Sequence, residues 1–374
     1  MIPSGKRDKV IMIANSIENG ELSALGLLDQ SAAYDLLCHQ KMKEKLGLYN
    51  FSASSIDWLM SYLHVISSND FPACHEEGEA VVYVDDDSDH VQDSDPARLR
   101  EKIQREAGNS TQWLKDNRLC VAGEKSKLLI IGTSELRTSK HLSDDMKILV
   151  DGKEVIASSS EKLLGVVLNN KLTWKNDLYG DKENMGLIPQ LSKRLGMLKR
   201  LSRYMSKEKL KYFSSGIFYS KLNYRLPVFG NVFGPDRYKE ENRNYCSFTM
   251  KDNNNIQVLQ NKLNRLLLNA DYTTPTSELL DQTGSLSVHQ MIAYHTAITT
   301  HKIIKSGKPS YIAENFKMRN MNQNIRQGAG TLVLPSYSRN IPREGFIYRG
   351  AVLHNKLPVS LRTETNLCKY IHRL

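Results

Sequence analysis

Residues 79–95 read EAVVYVDDDSDHVQDSD, and this stretch decides the fold class. The β-branched and aromatic residues of 79–84 predict a strand that stops abruptly in an acidic turn at Asp85 and Asp86. Asp95 precedes Pro96, a pattern typical of a helix N-terminus, and apolar residues then recur at helical spacing. A helix over 96–116 is therefore predicted. Strand, turn and helix in such close succession indicate an α+β fold.

The same reading extends to both sides of this stretch. The apolar run 24–28 predicts a buried strand that ends at Asp29, and a helical pattern follows over 36–48. Further strands are predicted at 127–131 and 163–168, with a hairpin at 147–156 that turns at Asp151-Gly152. Beyond about residue 180 the pattern becomes helical, over 187–205, 207–224, 256–269 and 288–306, with a polar linker at 233–255 and a loop-rich tail at 318–345.

Charge is distributed unevenly along the 374 residues. The net charge is +10, but residues 1–97 carry −11 and residues 98–374 carry +21. A basic region of this size attracts a polyanion, most often nucleic acid, and the acidic part beside it suggests a bound cation. The composition is that of a globular protein, which excludes wholesale disorder. Five scattered cysteines and no apolar run of 18 residues predict an intracellular protein, in nucleus or cytoplasm, without a membrane partner.

Three aspartates at strand ends form the candidate catalytic and metal site: Asp29, Asp85 and Asp86. Carboxylates at one edge of a sheet can bind Mg²⁺, and two such ions can stabilise the attacking and leaving oxygens of phosphoryl transfer. A solvated acidic loop is the plainer alternative. An EF-hand is excluded, because His90 stands where that loop requires glycine and Pro96 stands where it requires glutamate.

Six segments carry a resemblance to a known family. LLDQSAAYD (27–35) and YVDD (83–86) resemble motifs A and C of reverse transcriptases of non-LTR (LINE-type, jockey-like) retrotransposons. WLKDNRLCVAGEKSKLLIIG (113–132) and LLGVVLNNKLTW (163–174) resemble the next motif and the segment that grips the primer. LSKRLGMLKRLSRYM (191–205) is similar to the start of the thumb, and FIYRGAVLHNKLP (346–358) to part of the C-terminal tail.

The resemblance implies an RNA-directed DNA polymerase in which Asp29, Asp85 and Asp86 hold two Mg²⁺ ions. It implies a palm with an antiparallel sheet over 1–183, a helical thumb over 184–245 and a mostly helical C-terminal region over 246–374. Partners would be an RNA template, a DNA primer and deoxynucleoside triphosphates. Nucleotide-binding positions would be Tyr34 and Lys125, and the primer grip would have Leu164 and Gly165 at its turn. The thumb residues facing primer–template phosphates would be Lys193, Arg194, Lys199, Arg200, Arg203 and Lys207.

The sequence also departs from the family. The glycine-rich motif B, GxPQGxxxSP, has no counterpart in the 56 positions from Asp29 to Asp85, and only 28 residues precede Asp29, so the fingers are missing. Because polymerisation needs its reactants held in attacking geometry, we expect an impaired enzyme. The alternatives are a non-enzymatic nucleic-acid-binding remnant and an unstable product of a decayed element. For Tyr204, Tyr212 and Phe213, packing in a helical core is favoured over stacking on bases.

Overall fold

The structure, a computed structural model, divides the chain into two compact units. It describes residues 4–31, 39–48, 51–60, 71–83, 86–117, 120–121, 123–142, 145–226, 249–319, 330–338 and 345–374. The sheet unit comprises Asn15–Gly165 and Asn169–Leu172, and the helical unit comprises Met1–Ala14, Val166–Leu168 and Thr173–Leu374. The palm, thumb and tail boundaries at 183 and 245 stay predictions.

The sheet unit combines strands with helices, so the α+β class is confirmed. After the first helix, which passes from the helical unit into the sheet unit, strands and helices alternate irregularly. The elements are α1 (Ser4–Glu18), β1 (Leu22–Ser31), α2 (His39–Leu48), α3 (Ala53–Met60), a 3₁₀ turn (Phe71–Cys74), β2 (Glu79–Tyr83), β3 (Asp86–Asp93), α4 (Pro96–Asp116), β4 (Cys120–Val121), β5 (Lys127–Ile131), α5 (Ser134–Ser139), β6 (Lys147–Val150), β7 (Lys153–Ser158) and β8 (Ser160–Leu163).

The main sheet is built around β1. Its strand order is β2-β3-β1-β5-β7-β6, with β4 also paired to β1. Strands β3 and β5 both run antiparallel to β1, so they run in the same direction and are connected through α4. This arrangement is a split βαβ unit. The sheet is mixed, because β5 and β7 pair in parallel, so the predicted antiparallel sheet is wrong at that pair.

Helix α4 packs on one face of the sheet and has the bounds that the sequence predicted. Asp95 is its N-cap and accepts a hydrogen bond from the Ala97 backbone N–H at 3.1 Å, which satisfies one of the helix's free donors. Its apolar stripe is buried against strand residues at alternating positions. The core formed in this way includes Leu22, Ala24, Leu28, Val91, Leu99, Ile103, Ala107, Leu128 and Ile130.

Two turns fall at the strand boundaries that follow. The β6–β7 hairpin turns at Asp151 and Gly152, both with positive φ, as the sequence predicted. The single strand predicted over 163–168 is wrong: Leu164 (φ 46°) and Gly165 (φ 79°) form a turn between β8 and β9 (Val166–Asn169). Left-handed backbone at two successive residues cannot continue a strand.

The helical unit contains most of the remaining chain. Its helices are α6 (Lys175–Tyr179), α7 (Leu187–Leu201), α8 (Lys207–Ser214), a π-helical turn (Ser215–Tyr219), α9 (Ser220–Asn223), α10 (Met250–Leu268), α11 (Thr276–Thr283), α12 (Val288–Ser306), α13 (Ser310–Ala313), α14 (Phe346–Lys356), α15 (Val359–Arg362) and α16 (Leu367–Arg373). The predicted helix 288–306 is confirmed. The predicted linker 233–255 falls partly outside the described residues, and its end is the start of α10 rather than a linker.

The helical unit has a core of its own. Ile303 of α12 and Phe346 of α14 pack with Ile312 and Phe316, and Ile11 of α1 joins the same cluster. Within the described residues, no helix is long and apolar enough to cross a membrane.

Candidate functional site

The structure brings two of the three predicted catalytic aspartates opposite each other. Asp29 of β1 and Asp86 of β3 are direct partners in the antiparallel ladder. Asp86 also pairs with Tyr83 of β2, so β2 and β3 are joined by the two residues Val84-Asp85. Asp85 lies outside the described residues. Cα atoms of directly paired residues are about 4.5–5.5 Å apart, so the backbone places the two acidic positions Asp29 and Asp86 next to each other.

Helix α4 anchors the segment that leads into β2. The fully buried carboxylate of Glu106 accepts the backbone N–H of Glu77 at 2.7 Å and that of Gly78 at 3.0 Å. The N–H of Glu76 also points to this carboxylate, at 3.2 Å. Hydrogen bonds to an ionised acceptor are stronger than those between neutral groups. Glu106 therefore determines where the β2–β3 hairpin begins, and no local sequence signal indicates this role.

A buried polar cluster connects β3, α4 and the 3₁₀ turn. The Nε2 atom of His75 lies 2.8 Å from Asp89 Oδ1 and 3.1 Å from Ser110 Oγ, and Ser110 Oγ donates to Asp89 Oδ2 at 3.0 Å. Burial opposes protonation of His75, but the hydrogen bond and charge of Asp89 outweigh it and raise the His75 pKa.

The geometry of this cluster is not that of a nucleophilic triad. A histidine base uses one ring nitrogen for the nucleophile and the other for the carboxylate. In His75, Nε2 contacts both Ser110 and Asp89, and Nδ1 lies 3.4 Å from Cys74 Sγ. The cluster holds the chain before β2 against β3 and α4, and it was missed from the sequence because its members are distant along the chain.

The remaining predicted site residues lie elsewhere. Tyr34 is outside the described residues. Lys125 is exposed in the turn between β4 and β5, where its neighbour Glu124 forms an ion pair with Lys153 at 2.6 Å. Leu164 and Gly165 form the turn that follows β8, in which both residues are half-buried.

In the helical unit, a buried ion pair holds the start of β9. Asp177 of α6 accepts a hydrogen bond from the Val167 backbone N–H at 3.0 Å and one from Arg225 Nε at 2.8 Å. The side chains of Asp177 and Arg225 are 0% and 3% exposed. Because a buried charge is costly without a partner, this pair couples the positions of α6, β9 and the residue after α9.

Most of the predicted nucleic-acid-binding side chains lie at the surface of α7 and α8. Lys193, Lys199, Arg200 and Arg203 are exposed. Arg194 is half-buried and donates to the backbone carbonyl of Ile217.

Lys207 is also exposed, and its Nζ donates to the Leu268 carbonyl at 3.1 Å. The core packing predicted for the neighbouring aromatic residues is wrong, since Tyr204, Tyr212 and Phe213 are all exposed.

The described side chains do not form a metal-binding site. Among those residues, no group of three or more His, Cys, Asp or Glu could hold a metal ion. Asp85 and the side chains of Asp29 and Asp86 lie outside the described part of the chain. No protein-family model matches the sequence, and no curated protein is significantly similar to it.

Proposed function

We propose that the chain is the polymerase region of a reverse transcriptase of the non-LTR retrotransposon type, with Asp29, Asp85 and Asp86 as catalytic carboxylates. The reaction would be transfer of a deoxynucleotide from its triphosphate to a primer 3′-hydroxyl on an RNA template. The observation that carries the proposal is the register of the sheet. Asp29 and Asp86 occur at paired positions of β1 and β3, and Asp85 occurs in the two-residue connection to β2.

The charges at these paired positions favour a bound cation. Like charges directly opposite each other on an antiparallel ladder destabilise the sheet. A divalent cation would remove that repulsion, and carboxylate oxygens are the ligands that Mg²⁺ prefers. When bound, Mg²⁺ stabilises negative charge on the attacking and leaving oxygens. The three aspartates would hold the ions, and Glu106 would maintain the position of the hairpin that carries two of these aspartates.

Missing positioning elements argue for a slow enzyme. The described segments between β1 and β2 are α2, α3 and the 3₁₀ turn, and none contains the glycine-rich motif of the family. Template, primer and triphosphate must be held in line for the reaction, and loss of positioning lowers the rate by many powers of ten. We therefore propose that polymerase activity is impaired.

A nucleic-acid-binding protein without catalysis is the second candidate function. It is favoured by the exposed lysine and arginine side chains of α7 and α8. Contacts of this kind to phosphates are independent of sequence and weaken steeply with salt. This candidate requires neither the aspartates nor Mg²⁺.

Primer extension distinguishes the two candidates. The full chain, its Asp85→Asn variant and a control Asp281→Asn variant, altered at an exposed acid of α11, are given a primed RNA template, Mg²⁺ and four deoxynucleoside triphosphates. We expect slow extension by the chain and the control, and none by Asp85→Asn. Equal extension by all three would overturn the catalytic assignment. Binding of the template without extension by any of them would favour the second candidate.

Metal binding can be measured without turnover. Mn²⁺ substitutes for Mg²⁺ at oxygen sites and is observed by electron paramagnetic resonance. We expect the chain to bind Mn²⁺ and the Asp29→Asn variant to lose that binding, while the Asp281→Asn control retains it. Equal Mn²⁺ binding by all three proteins would contradict a site at Asp29.

A further inference from the structure

Three tyrosines near α8 are the most exposed large aromatic residues of the described chain. Tyr204 and Tyr272 are each 86% exposed and Tyr212 is 80% exposed. Tyr204 lies just before Ser206, the N-cap of α8, and Tyr212 lies within the helix. An aromatic side chain in water contributes none of the stabilisation that its burial would give. The stability of the fold therefore does not explain these residues.

Tyr272 follows the C-terminal end of α10, and that end contacts α8. The Nζ atom of Lys207 donates to the carbonyl of Leu268, the last residue of α10, and Tyr272 follows four residues later. The guanidinium carbon of Arg265 is 5.3 Å from the centroid of the Tyr272 ring, within the range of a cation–π contact. Arg265 itself is fixed, because its Nη2 donates to the Thr274 carbonyl at 3.1 Å. The ring is thus held at the surface.

Positive charge predominates in the segment that contains Tyr204 and Tyr212, whereas Tyr272 follows the exposed Asp271 and contacts Arg265. From Lys193 to Lys211 the chain has eight lysines or arginines and one acidic residue, Glu208. Two of the ammonium groups are held in position by backbone carbonyls: Lys207 by that of Leu268 and Lys211 by that of Thr283 at 2.8 Å. The other basic side chains nearest the rings in sequence are Arg203, Lys209 and Arg265.

We propose that this tyrosine surface, formed by Tyr204, Tyr212 and Tyr272, binds unpaired nucleic acid. Bases stack on the tyrosine rings, and phosphates face the surrounding lysine and arginine side chains. This inference rests on the proposed function, because the tyrosine surface and the polymerase both require a nucleic-acid partner. It adds that the nucleic acid is single-stranded where it contacts the tyrosine surface. Stacking on aromatic side chains combined with a basic groove is the general mode of single-strand binding.

The chemistry favours a single strand over the other occupants. In a duplex, both faces of an interior base are covered by its neighbours, so an exposed ring can stack only on an unpaired base. A protein partner fits less well, because lysine is depleted in the cores of protein–protein interfaces. Here basic side chains are next to two of the rings in the sequence, Arg203 beside Tyr204 and Lys211 beside Tyr212, and could bind the phosphates of a strand whose bases stack on the rings.

The test compares oligonucleotides that differ only in their bases. Binding of the full chain to a fluorescent single-stranded oligouridine is measured against an abasic strand of equal length and against a blunt-ended duplex without unpaired bases. In one variant, leucine replaces Tyr204, Tyr212 and Tyr272, which keeps an apolar side chain without an aromatic face. In the matched control, phenylalanine replaces the same three residues and retains the face.

We expect the chain to bind oligouridine more tightly than the abasic strand or the duplex. The leucine variant should lose about tenfold in affinity for oligouridine for each tyrosine replaced, and it should bind the abasic strand as the unaltered chain does. The affinity of the phenylalanine variant for oligouridine should stay within about twofold of that of the unaltered chain. Equal affinity of the chain for oligouridine and the abasic strand, or an unchanged leucine variant, would overturn the proposal. Because all substitutions are at exposed positions, circular dichroism should show folded proteins.

The assay separates this inference from the proposed polymerase activity. It contains no triphosphate, and the Asp85→Asn variant should bind oligouridine as the unaltered chain does. Failure of primer extension with intact, tyrosine-dependent binding leaves the inference standing. Absence of binding to every oligonucleotide by the folded chain overturns both this inference and the second candidate function.

Discussion

Replacement of His301 by phenylalanine should remove an acid-induced loss of stability in the helical unit. His301, in α12, is 1% exposed, and its ring stacks on Tyr370 of α16 with centroids 3.8 Å apart. Neither ring nitrogen has a hydrogen-bond partner within the described residues. Burial, reinforced by the charges of Lys305 and His354, lowers the pKa of His301 from 6.5 to about 4. The folded unit therefore holds this imidazole in its neutral form.

The size of the effect follows from the pKa difference. The unfolded chain takes up the proton first, so the stabilisation is complete above pH 6.5 and is lost as the pH falls toward 4. At about 1.4 kcal/mol per pKa unit, the full shift corresponds to about 3 kcal/mol, and about 2 kcal/mol is lost between pH 7.5 and pH 5. Phenylalanine retains the aromatic ring against Tyr370 and cannot take up a proton.

Amide hydrogen exchange of peptides from α12 and α16 measures this local stability. We expect the opening free energy of the unaltered chain to fall by about 2 kcal/mol more than that of His301→Phe between pH 7.5 and pH 5. Burial also lowers the pKa of His295 and of His354, but both residues are present in both proteins and cancel in the comparison. The exposed His289 supplies a control, and His289→Phe should behave as the unaltered chain does. Equal losses with and without His301 would refute the reasoning.

Three further predictions concern a buried carboxylate, a buried ion pair and a turn. Glu106→Ala leaves the backbone N–H groups of Glu77 and Gly78 without an acceptor and should lower the stability of the β2–β3 hairpin by about 3 kcal/mol. The loss should be smaller for Glu106→Gln. Amide hydrogen exchange over residues 76–83 measures this stability. Asp177→Asn leaves the Arg225 charge buried without its counter-charge and should lower the unfolding free energy of the helical unit in urea by about 3–5 kcal/mol. A loss below 1 kcal/mol would contradict that account. Gly165→Ala forces an alanine to φ 79° and should lower the thermal unfolding midpoint by an amount corresponding to about 1 kcal/mol. An unchanged midpoint would contradict this prediction and show that the backbone of the turn adjusts to the alanine.

Local patterns predicted much of the secondary structure. Asp95 and Pro96 identified the start of α4, and apolar periodicity identified its extent, because a cap and an amphipathic stripe are both properties of neighbouring residues. The Asp151-Gly152 turn was predicted for the same reason. Leu164 was placed within a strand because apolar residues continue across it, although its backbone turns there. Hydrophobicity alone does not distinguish one strand from two short ones.

The candidate site could be predicted only in part. The sequence predicted Asp29 at the end of one strand and Asp86 in an acidic turn after another, but Asp29 lies within β1 and Asp86 begins β3, a strand that was not predicted. Their pairing follows from the observed register. The role of Glu106 and the exposure of Tyr204 and Tyr212 could not be predicted, because both depend on which surfaces neighbouring elements cover.

Sequence patterns were sufficient to predict helices α4 and α12, strands β2 and β5 and the basic character of residues 98–374, since each depends on residues close together in the chain. Only the tertiary structure decided that β1 lies between β3 and β5, that β5 pairs in parallel with β7, and that Asp29 faces Asp86 across the ladder. The physical reason is that strand order and burial minimise free energy over the whole chain. They depend on contacts between residues far apart in sequence, and such contacts leave no periodic signal along it.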